Sequence, residues 1–344
     1  MNVLEWLYDN EPNVLNDMRW TNHGYYDKPS PYHLEGSVLT HTMMVYNEAL
    51  KSFEFEVVLL AALLHDYGKV FTKEMDSEKQ RTFFKNHEGY SLFASVDIIK
   101  KFFGDDKANI VECLFAIANH GFYQQNNITR EKVIDKLKIF PNSFLCALHG
   151  LIHADLNGRI KASSVRENRL DFDLDYAFDE VVGLDYKKKE TSKEFVMMVG
   201  LPGSGKSTFI KENLKGYAIL SRDSVLTEMY PASSYKESWN IADQKEVDKV
   251  FMKLVTNTLN TFDKVVLDMT NLTKKGRKKW LALSNQRGLS NTAYVMATDI
   301  RTCFNRRGVL NKDGKLVSDR VIDSMAKKFT FPLGDEFDKV EIFV

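Results

Sequence analysis

Along the first 180 residues the apolar positions recur at three- and four-residue spacing. The segments LTHTMMVYNEALKSF (39–53), EVVLLAALLHDYG (56–68), YSLFASVDIIKKFF (90–103) and NIVECLFAIANHG (109–121) each carry such a stripe, which predicts helices. Few stretches there alternate as strands do. Near residue 185 the texture changes. GLDYKKKETSKE (183–194) is polar and charged, as a linker or exposed edge is, and the apolar run FVMMV (195–199) follows it. Further short apolar runs come at YAILS (217–221), KVVLD (264–268), TAYVMA (292–297) and VEIFV (340–344), with amphipathic stretches between them, such as Trp239 to Leu259. Strands alternating with helices imply a parallel sheet. The pattern therefore predicts two domains: an all-α domain over 1–185 and an α/β domain over 195–344. A chain of 344 residues is long enough for two cores.

Composition narrows the class without naming it. Hydrophobic residues make up 44% and charged residues 27%, ordinary values for a globular protein. The longest apolar run, Val57 to Leu64, is too short to span a bilayer. The start MNVLEWLYDNEP lacks the basic opening and apolar core of a signal peptide, so a cytoplasmic protein with no membrane partner is expected. Cys113, Cys146 and Cys303 are scattered and read as reduced thiols. The net charge of zero hides an asymmetry. Residues 1–190 hold 22 Lys and Arg against 29 Asp and Glu, and residues 191–344 hold 25 against 18. An acidic half suits bound cations and a basic half suits a polyanion, although surface variation alone produces similar differences.

The basic half contains the sharpest motif. Gly200-Leu-Pro202-Gly203-Ser204-Gly205-Lys206-Ser207 fits GxxxxGK[ST], with an apolar strand before it and a helical stretch, starting Ser207-Thr208, after it. Glycines let backbone N–H groups turn inward around phosphate oxygens. Lys206 adds a positive charge at the β and γ phosphates, and the Ser207 hydroxyl can ligate Mg²⁺. The motif implies ATP or another nucleoside triphosphate. The second strand ends in Ser221-Arg222-Asp223, and strand ends of such sheets face the ligand crevice. Asp223 is thus a candidate base toward an acceptor hydroxyl, with a cap of the next helix as the structural alternative. Asp268 and Asn271 close the third strand at the same edge. Arg306-Arg307-Gly308 precede NKDGK (311–315) and read as a phosphate-closing lid or as a solvated helix end.

GLPGSGKST, SRD, DMTN with the basic helix KKGRKKW, and RRG, in this order, resemble the kinase domain of polynucleotide 5′-hydroxyl kinases over nearly all of 195–344. The resemblance implies Asp223 as general base toward a 5′-OH and Arg307, beside Arg306, on the ATP phosphates. It implies Asp268 as an organiser of the site, with Arg222 and Asn271 among the substrate contacts. Some phage members carry an Asp and then an Arg just after the catalytic Asp. Ser224 and Leu226 stand there in this chain, which leaves acceptor preference open.

All eight histidines precede residue 160. His65-Asp66 closes an apolar helix, and His41, His120 and Asp155 lie at or near other helix ends, with His87 a further candidate. Imidazole nitrogens and carboxylate oxygens together suit divalent transition metals, whereas one histidine on an apolar face is more often a hydrogen-bonded core residue. His149 and His153, at i,i+4 spacing, share a helix face and are a rival ligand pair. The order His41, His65-Asp66, His87, His120, Asp155, with HDxGK at its centre, resembles the HD phosphohydrolase superfamily over about 30–170. By that resemblance His41, His65, Asp66 and Asp155 hold one metal. His87 and His120 add a second that Asp66 bridges, and Lys69 contacts a phosphate. His33 and Glu35 are possible substrate contacts.

An HD domain ahead of a polynucleotide-kinase-like domain resembles the end-healing kinases of the HD-plus-kinase type. That resemblance implies 5′ phosphorylation with ATP and Mg²⁺. It also implies hydrolysis of a 2′,3′-cyclic or terminal 2′/3′ phosphate with one or two of Mn²⁺, Co²⁺, Ni²⁺ or Zn²⁺. The substrates would be RNA or DNA ends, which a separate ligase then seals. Two other readings remain open: a kinase of a nucleoside or small metabolite joined to an HD nucleotidase, and a kinase joined to a non-catalytic HD sensing module.

Overall fold

The computed structural model describes residues 2–53, 55–124, 127–163, 172–186, 191–309 and 317–344, with no side chains at 307–309. It divides into two compact units: Met1–Asp185 with Lys327–Phe331, and Tyr186–Ala326 with Pro332–Val344. No helix among the described residues is long and apolar enough to cross a membrane.

The first unit holds α1 (Val3–Asn10), α2 (Pro12–Trp20), α3 (Val38–Ser52), α4 (Glu56–Leu64), the single turn α5 (Lys69–Thr72), α6 (His87–Phe103), α7 (Lys107–Asn119), α8 (Arg130–Leu137), α9 (Asn142–Asn157) and α10 (Leu174–Val182). α4 explains the arrangement. Every residue from Val57 to Leu64 is buried, and a helix apolar on all sides must be wrapped by others. α1, α3, α6, α7 and α9 surround it. The charged segment after α5 forms an antiparallel hairpin, β1 (Lys73–Asp76) and β2 (Arg81–Phe84), which the helical pattern did not reveal. The segment Lys327–Phe331 belongs to this core. The Phe329 ring packs edge-on to Phe93 at 4.9 Å, and the Asn86 amide donates to the Lys327 carbonyl at 2.8 Å.

The second unit is an α/β domain built on a five-stranded parallel sheet in the order β4-β5-β3-β6-β7. The strands are β3 (Glu194–Val199), β4 (Ala218–Ser221), β5 (Lys264–Asp268), β6 (Ser290–Met296) and β7 (Lys339–Phe343). The five apolar runs of the sequence supply all of them. Phe195 to Val199 are buried throughout, as a central parallel strand covered on both faces must be. Val196 and Met198 pack with Ile210, Leu214, Val266 and Met296. The helices are α11 (Lys206–Asn213), α12 (Arg222–Met229), α13 (Tyr235–Ile241), α14 (Gln244–Thr261), α15 (Lys274–Asn285), α16 (Ile300–Val309) and α17 (Asp319–Ala326). The amphipathic stretch from Trp239 to Leu259 is broken between α13 and α14. The Asp243 carboxylate accepts from the N–H groups of Lys245 and Glu246 and starts a new helix, so a strong N-cap overrides a continuous pattern.

Candidate active sites

The first site lies in the helical unit, where α3, the C-terminus of α4, the start of α6, the C-terminus of α7 and the last turns of α9 converge. These elements bring together His41, His65, Asp66, His87, His120 and Asp155, residues that are far apart in the chain. Asp66 is at the centre. Its Oδ2 lies 3.5 Å from His41 Nε2 and 3.3 Å from His65 Nε2. Its Oδ1 lies 3.1 Å from His87 Nε2 and 3.8 Å from His120 Nε2. Asp155 Oδ1 adds a contact of 3.1 Å to His41 Nε2. Gly68 of the HDxGK turn permits the convergence. A β-carbon there would sit 2.2 Å from the His87 carbonyl, so only glycine lets the start of α6 approach. The Gly68 N–H donates to Ser91 Oγ at 2.7 Å, and that hydroxyl donates to the His65 carbonyl at 2.6 Å.

Four histidines face Asp66 with the same nitrogen because each is held by the other. Nδ1 lies 3.1 Å from the Gly158 carbonyl in His41, 2.8 Å from that of Ala62 in His65, 2.9 Å from that of Phe84 in His87 and 2.8 Å from that of Ile117 in His120. A carbonyl only accepts, so the proton belongs on Nδ1 and the Nε2 lone pair faces the pocket. His41 Nε2, His65 Nε2, Asp66 Oδ1 and Asp155 Oδ1 are buried without hydrogen-bond partners among the described residues, while Asp66 Oδ2 pairs with the Lys69 ammonium. Leaving so many polar atoms unsatisfied is costly unless a cation binds them. The sets His41, His65, Asp66 and Asp66, His87, His120 each have donor atoms within 4.8 Å of one another. Imidazole and carboxylate donors with carbonyl-pinned rings fit a divalent transition metal.

The electrostatics agree. Burial opposes charge on His41, yet Asp155, Glu35 and Asp66 outweigh it and raise its pKa. Burial likewise opposes ionisation of Asp66, but His65, Lys69 and His87 hold its carboxyl well below the usual range. His120 is lowered to about 4, mainly by burial and then by His65 and His87, so it stays a neutral donor. Beside Asp66 and Asp155 the pocket thus favours positive charge, while the His120 imidazole is kept neutral. Lys69 Nζ lies 2.7 Å from Asp66 Oδ2.

Around these groups sit residues that the motif order assigned otherwise or not at all. Glu35 Oε1 lies 3.1 Å from His41 Nδ1 and 2.8 Å from His33 Nδ1, so its carboxylate braces a ligand candidate. His23, buried, stacks on His33 and lies 3.2 Å from Lys69 Nζ through Nε2. Arg159 forms an ion pair with Asp155 one turn earlier, a pairing the i,i+4 spacing offered. His149 and His153 lie outside the cluster. His149 Nε2 contacts Asp175 Oδ1 at 2.7 Å and its ring stacks on Phe178, while His153 lies edge-on to Phe53.

The second site lies along the C-terminal edge of the sheet, at the ends of β3, β4 and β5. β3 runs into the glycine loop and on into α11, with Gly203 at φ 82° and Gly205 at φ 92°, backbone shapes that favour glycine. A β-carbon on Gly203 would also lie 2.9 Å from the Cys303 carbonyl. Lys206 Nζ donates to the carbonyls of Gly200 at 3.0 Å and Leu201 at 2.7 Å, and lies 3.4 Å from Ser204 Oγ. Ser207 Oγ donates to Asp268 Oδ2 at 2.7 Å, joining the loop to the end of β5. Thr208 follows in the first turn of α11. Pro202 lies within the loop turn. Arg306 Nη1 reaches the Gly203 carbonyl at 3.4 Å. Arg307 is in α16, and its side chain lies outside the described residues, as do 310–316 of the lid segment.

The other predicted groups divide. The cap of α12 is Ser221 and not Asp223: the Ser221 hydroxyl accepts from the Ser224 N–H, and the Asp223 carboxylate accepts from Tyr235 Oη at 2.7 Å. Arg222 is tied to Asp248 at 2.7 Å and to Gln244 Oε1 at 2.8 Å. Asn271, with φ 46°, donates its amide to the Met198 carbonyl at 2.8 Å and braces β3 against the β5 loop. Arg277 of the basic helix is fully buried on Glu336, at 2.7 Å and 2.9 Å. Tyr235 carried no sequence signal, because only the packing of α13 on α12 brings it to Asp223.

A buried His/Asp pocket in a helical unit and a glycine loop opening on a parallel sheet define a helical domain with a candidate metal site and a P-loop domain. Residues 38–138 match the HD domain family, and residues 195–332 match the AAA domain family. The chain is an HD domain followed by a domain with the fold of a P-loop kinase, the order of the HD-plus-kinase type that its motifs resemble. Among curated proteins it is similar to one from Autographa californica nuclear polyhedrosis virus that carries the provisional name bifunctional polynucleotide kinase/RNA ligase. The two are 24% identical over 169 residues, covering 44% of this chain and 24% of that protein. It is also similar to a protein of Acanthamoeba polyphaga mimivirus, provisionally named bifunctional polynucleotide phosphatase/kinase. That identity is 26% over 166 residues, covering 46% of this chain and 35% of the relative. The chain thus spans about a quarter and a third of the length of these relatives. A solved gluconokinase from Sinorhizobium meliloti 1021 aligns at 17% identity with a TM-score of 0.31, over 44% of this chain and 82% of that one.

Proposed function

We propose that this protein heals broken polynucleotide ends, with the P-loop domain phosphorylating a 5′-OH and the HD domain removing a 2′,3′-cyclic or terminal 2′/3′ phosphate. The observation that carries this reading is the presence, in one chain, of the Asp66-centred donor pocket and a P-loop crevice edged by Asp223. The names of both viral relatives, which describe polynucleotide kinases, support it.

In the kinase reaction the acceptor 5′ oxygen bonds to the γ-phosphorus, the bond to the β–γ bridging oxygen breaks, and ADP leaves. The Asp223 carboxylate takes the hydroxyl proton. The loop N–H groups, Lys206, Arg306 and Arg307 bear on phosphate charge, and Mg²⁺ associated with ATP would be held through Ser207 and Asp268. In the HD domain His41, His65, Asp66 and Asp155 would hold one divalent ion, and Asp66, His87 and His120 a second. Such ions supply a water of lowered pKa and neutralise phosphoryl charge. Lys69 grips a substrate phosphate oxygen, and Asp155 is kept anionic by Arg159. Nitrogen-rich donors favour Mn²⁺, Co²⁺, Ni²⁺ or Zn²⁺ there, whereas Mg²⁺ serves the kinase. One water opens the cyclic phosphate to a 2′- or 3′-monoester and a second releases that as inorganic phosphate, so a 5′-phosphate and a free 3′-OH remain, ends that suit a separate ligase, and the setting we infer is the cytoplasm.

The test is an oligonucleotide, in RNA and DNA forms, carrying a 5′-OH and, on the RNA, a 2′,3′-cyclic phosphate. Incubated with ATP, Mg²⁺ and Mn²⁺, it should gain a 5′-phosphate and lose the cyclic phosphate. Transfer to nucleosides or sugars but to no oligonucleotide overturns the reading.

A further inference from the structure

Beside Asp223 the structure carries an aromatic pair that the proposed reaction has not used. Tyr235 and Trp239 stand four residues apart on α13, on one face, with ring centroids 6.2 Å apart. Tyr235 Oη donates to Asp223 Oδ1 at 2.7 Å, which ties this face to the carboxylate. Burial and the Asp223 charge raise the Tyr235 phenol above its ordinary pKa and keep it a donor. Trp239 remains 46% exposed. The Arg222 guanidinium lies 5.6 Å from the Trp239 ring centroid and is itself anchored by Asp248 and Gln244. A large exposed ring, oriented by an anchored cation and coupled through its neighbour to the carboxylate at the crevice edge, is a surface of the kind on which nucleobases stack. The excess of Lys and Arg over Asp and Glu in residues 191–344 suits a polyanionic strand.

We propose that Trp239 is a stacking platform for the nucleobase of the 5′-terminal nucleotide of the acceptor strand, a subsite that makes this kinase select polynucleotide ends over small alcohols. This rests on the polynucleotide-kinase reading given above. The subsite tolerates any base, because stacking uses the ring face and not the hydrogen-bonding edge.

The test uses the full chain and two oligonucleotide acceptors with a 5′-OH, identical except that one has an abasic 5′-terminal nucleotide. For the wild type, losing the base should raise the acceptor KM about 5- to 100-fold, the range of one base–aromatic stack. Trp239→Ala should raise the KM of the base-bearing acceptor by a similar factor and no longer distinguish the two acceptors. Trp239→Phe should retain most of the discrimination, and the KM for ATP should not follow the acceptor effect. A wild type that phosphorylates both acceptors equally overturns the inference and leaves the polynucleotide-kinase reading standing. So does Trp239→Ala discriminating as the wild type does. An effect confined to the KM for ATP assigns Trp239 to the donor nucleotide and overturns it too. A wild type that phosphorylates neither oligonucleotide overturns both readings.

Discussion

On the function proposed here the two sites would handle phosphate in opposite ways. In the helical domain the chemistry is in side chains: buried imidazoles and carboxylates, drawn from α3, α4, α6, α7 and α9, face one another. In the α/β domain much of it rests on the backbone: the loop from Gly200 to Gly205, with Gly203 and Gly205 at positive φ, runs from β3 into α11, the kind of turn whose N–H groups receive phosphate. The first arrangement, with Asp66 and Asp155 facing imidazoles, would take up cations before it met a phosphate. The second would meet an anion with peptide dipoles at the start of α11, and the buried Lys206 ammonium is held by loop carbonyls. A site made from distant side chains depends on the packing of the whole core, whereas a loop site depends on one strand, one turn and one helix.

The sharpest way to break this comparison is to remove a central donor. His65→Ala or Asp66→Ala should reduce phosphoester hydrolysis to background and strip bound transition metal while 5′ phosphorylation proceeds. Metal content, both activities and the melting temperature check it. Loss of kinase activity in a folded variant would show that the sites are not independent.

Next in size is the kinase carboxylate. Asp223→Asn should lower kcat by about 10²–10⁴-fold, the worth of a positioned base, with the KM for ATP retained. Lys206→Ala should lower turnover and also weaken use of ATP, because in the proposed reaction its ammonium turns from the loop carbonyls to phosphate oxygens. If Asp223→Asn melts early and phosphorylates at the wild-type rate, Asp223 is a structural residue and not a base.

The smallest effect belongs to Glu35, which touches His41 from behind. Glu35→Gln keeps the size but weakens the charge on His41 Nδ1, and should cost about 10- to 100-fold in metal affinity, as outer partners of histidine ligands do. A metal titration of the purified chain reads this directly. Unchanged affinity would make the Gly158 carbonyl the only brace that matters for His41.

Much of this molecule was legible in its sequence, for local reasons. The apolar stripe of 90–103 and the unbroken apolar run of 57–64 are short-range patterns, and they became α6 and the central α4. Gly203 and Gly205 announce a turn that favours positive φ, because the constraint lies within single residues. The hairpin β1–β2 escaped notice because its strands are short and charged, and Asp243 divided a helix that periodicity alone made continuous. Arg222 and Asn271, named as substrate contacts, have partners within the fold, and no local rule distinguishes a substrate-facing polar group from a bracing one.

The sequence by itself determined which residue types were available and the backbone shape of the phosphate loop, since spacing and conformational preference act over a few residues. Only the tertiary structure decided which side chains meet. It joined Asp66 to four histidines, put Glu35 behind His41, and set Tyr235 on Asp223 while sending His149 to Asp175. These pairings depend on how helices pack, and packing is fixed by the whole core's fit, not by any stretch of chain that could be read alone.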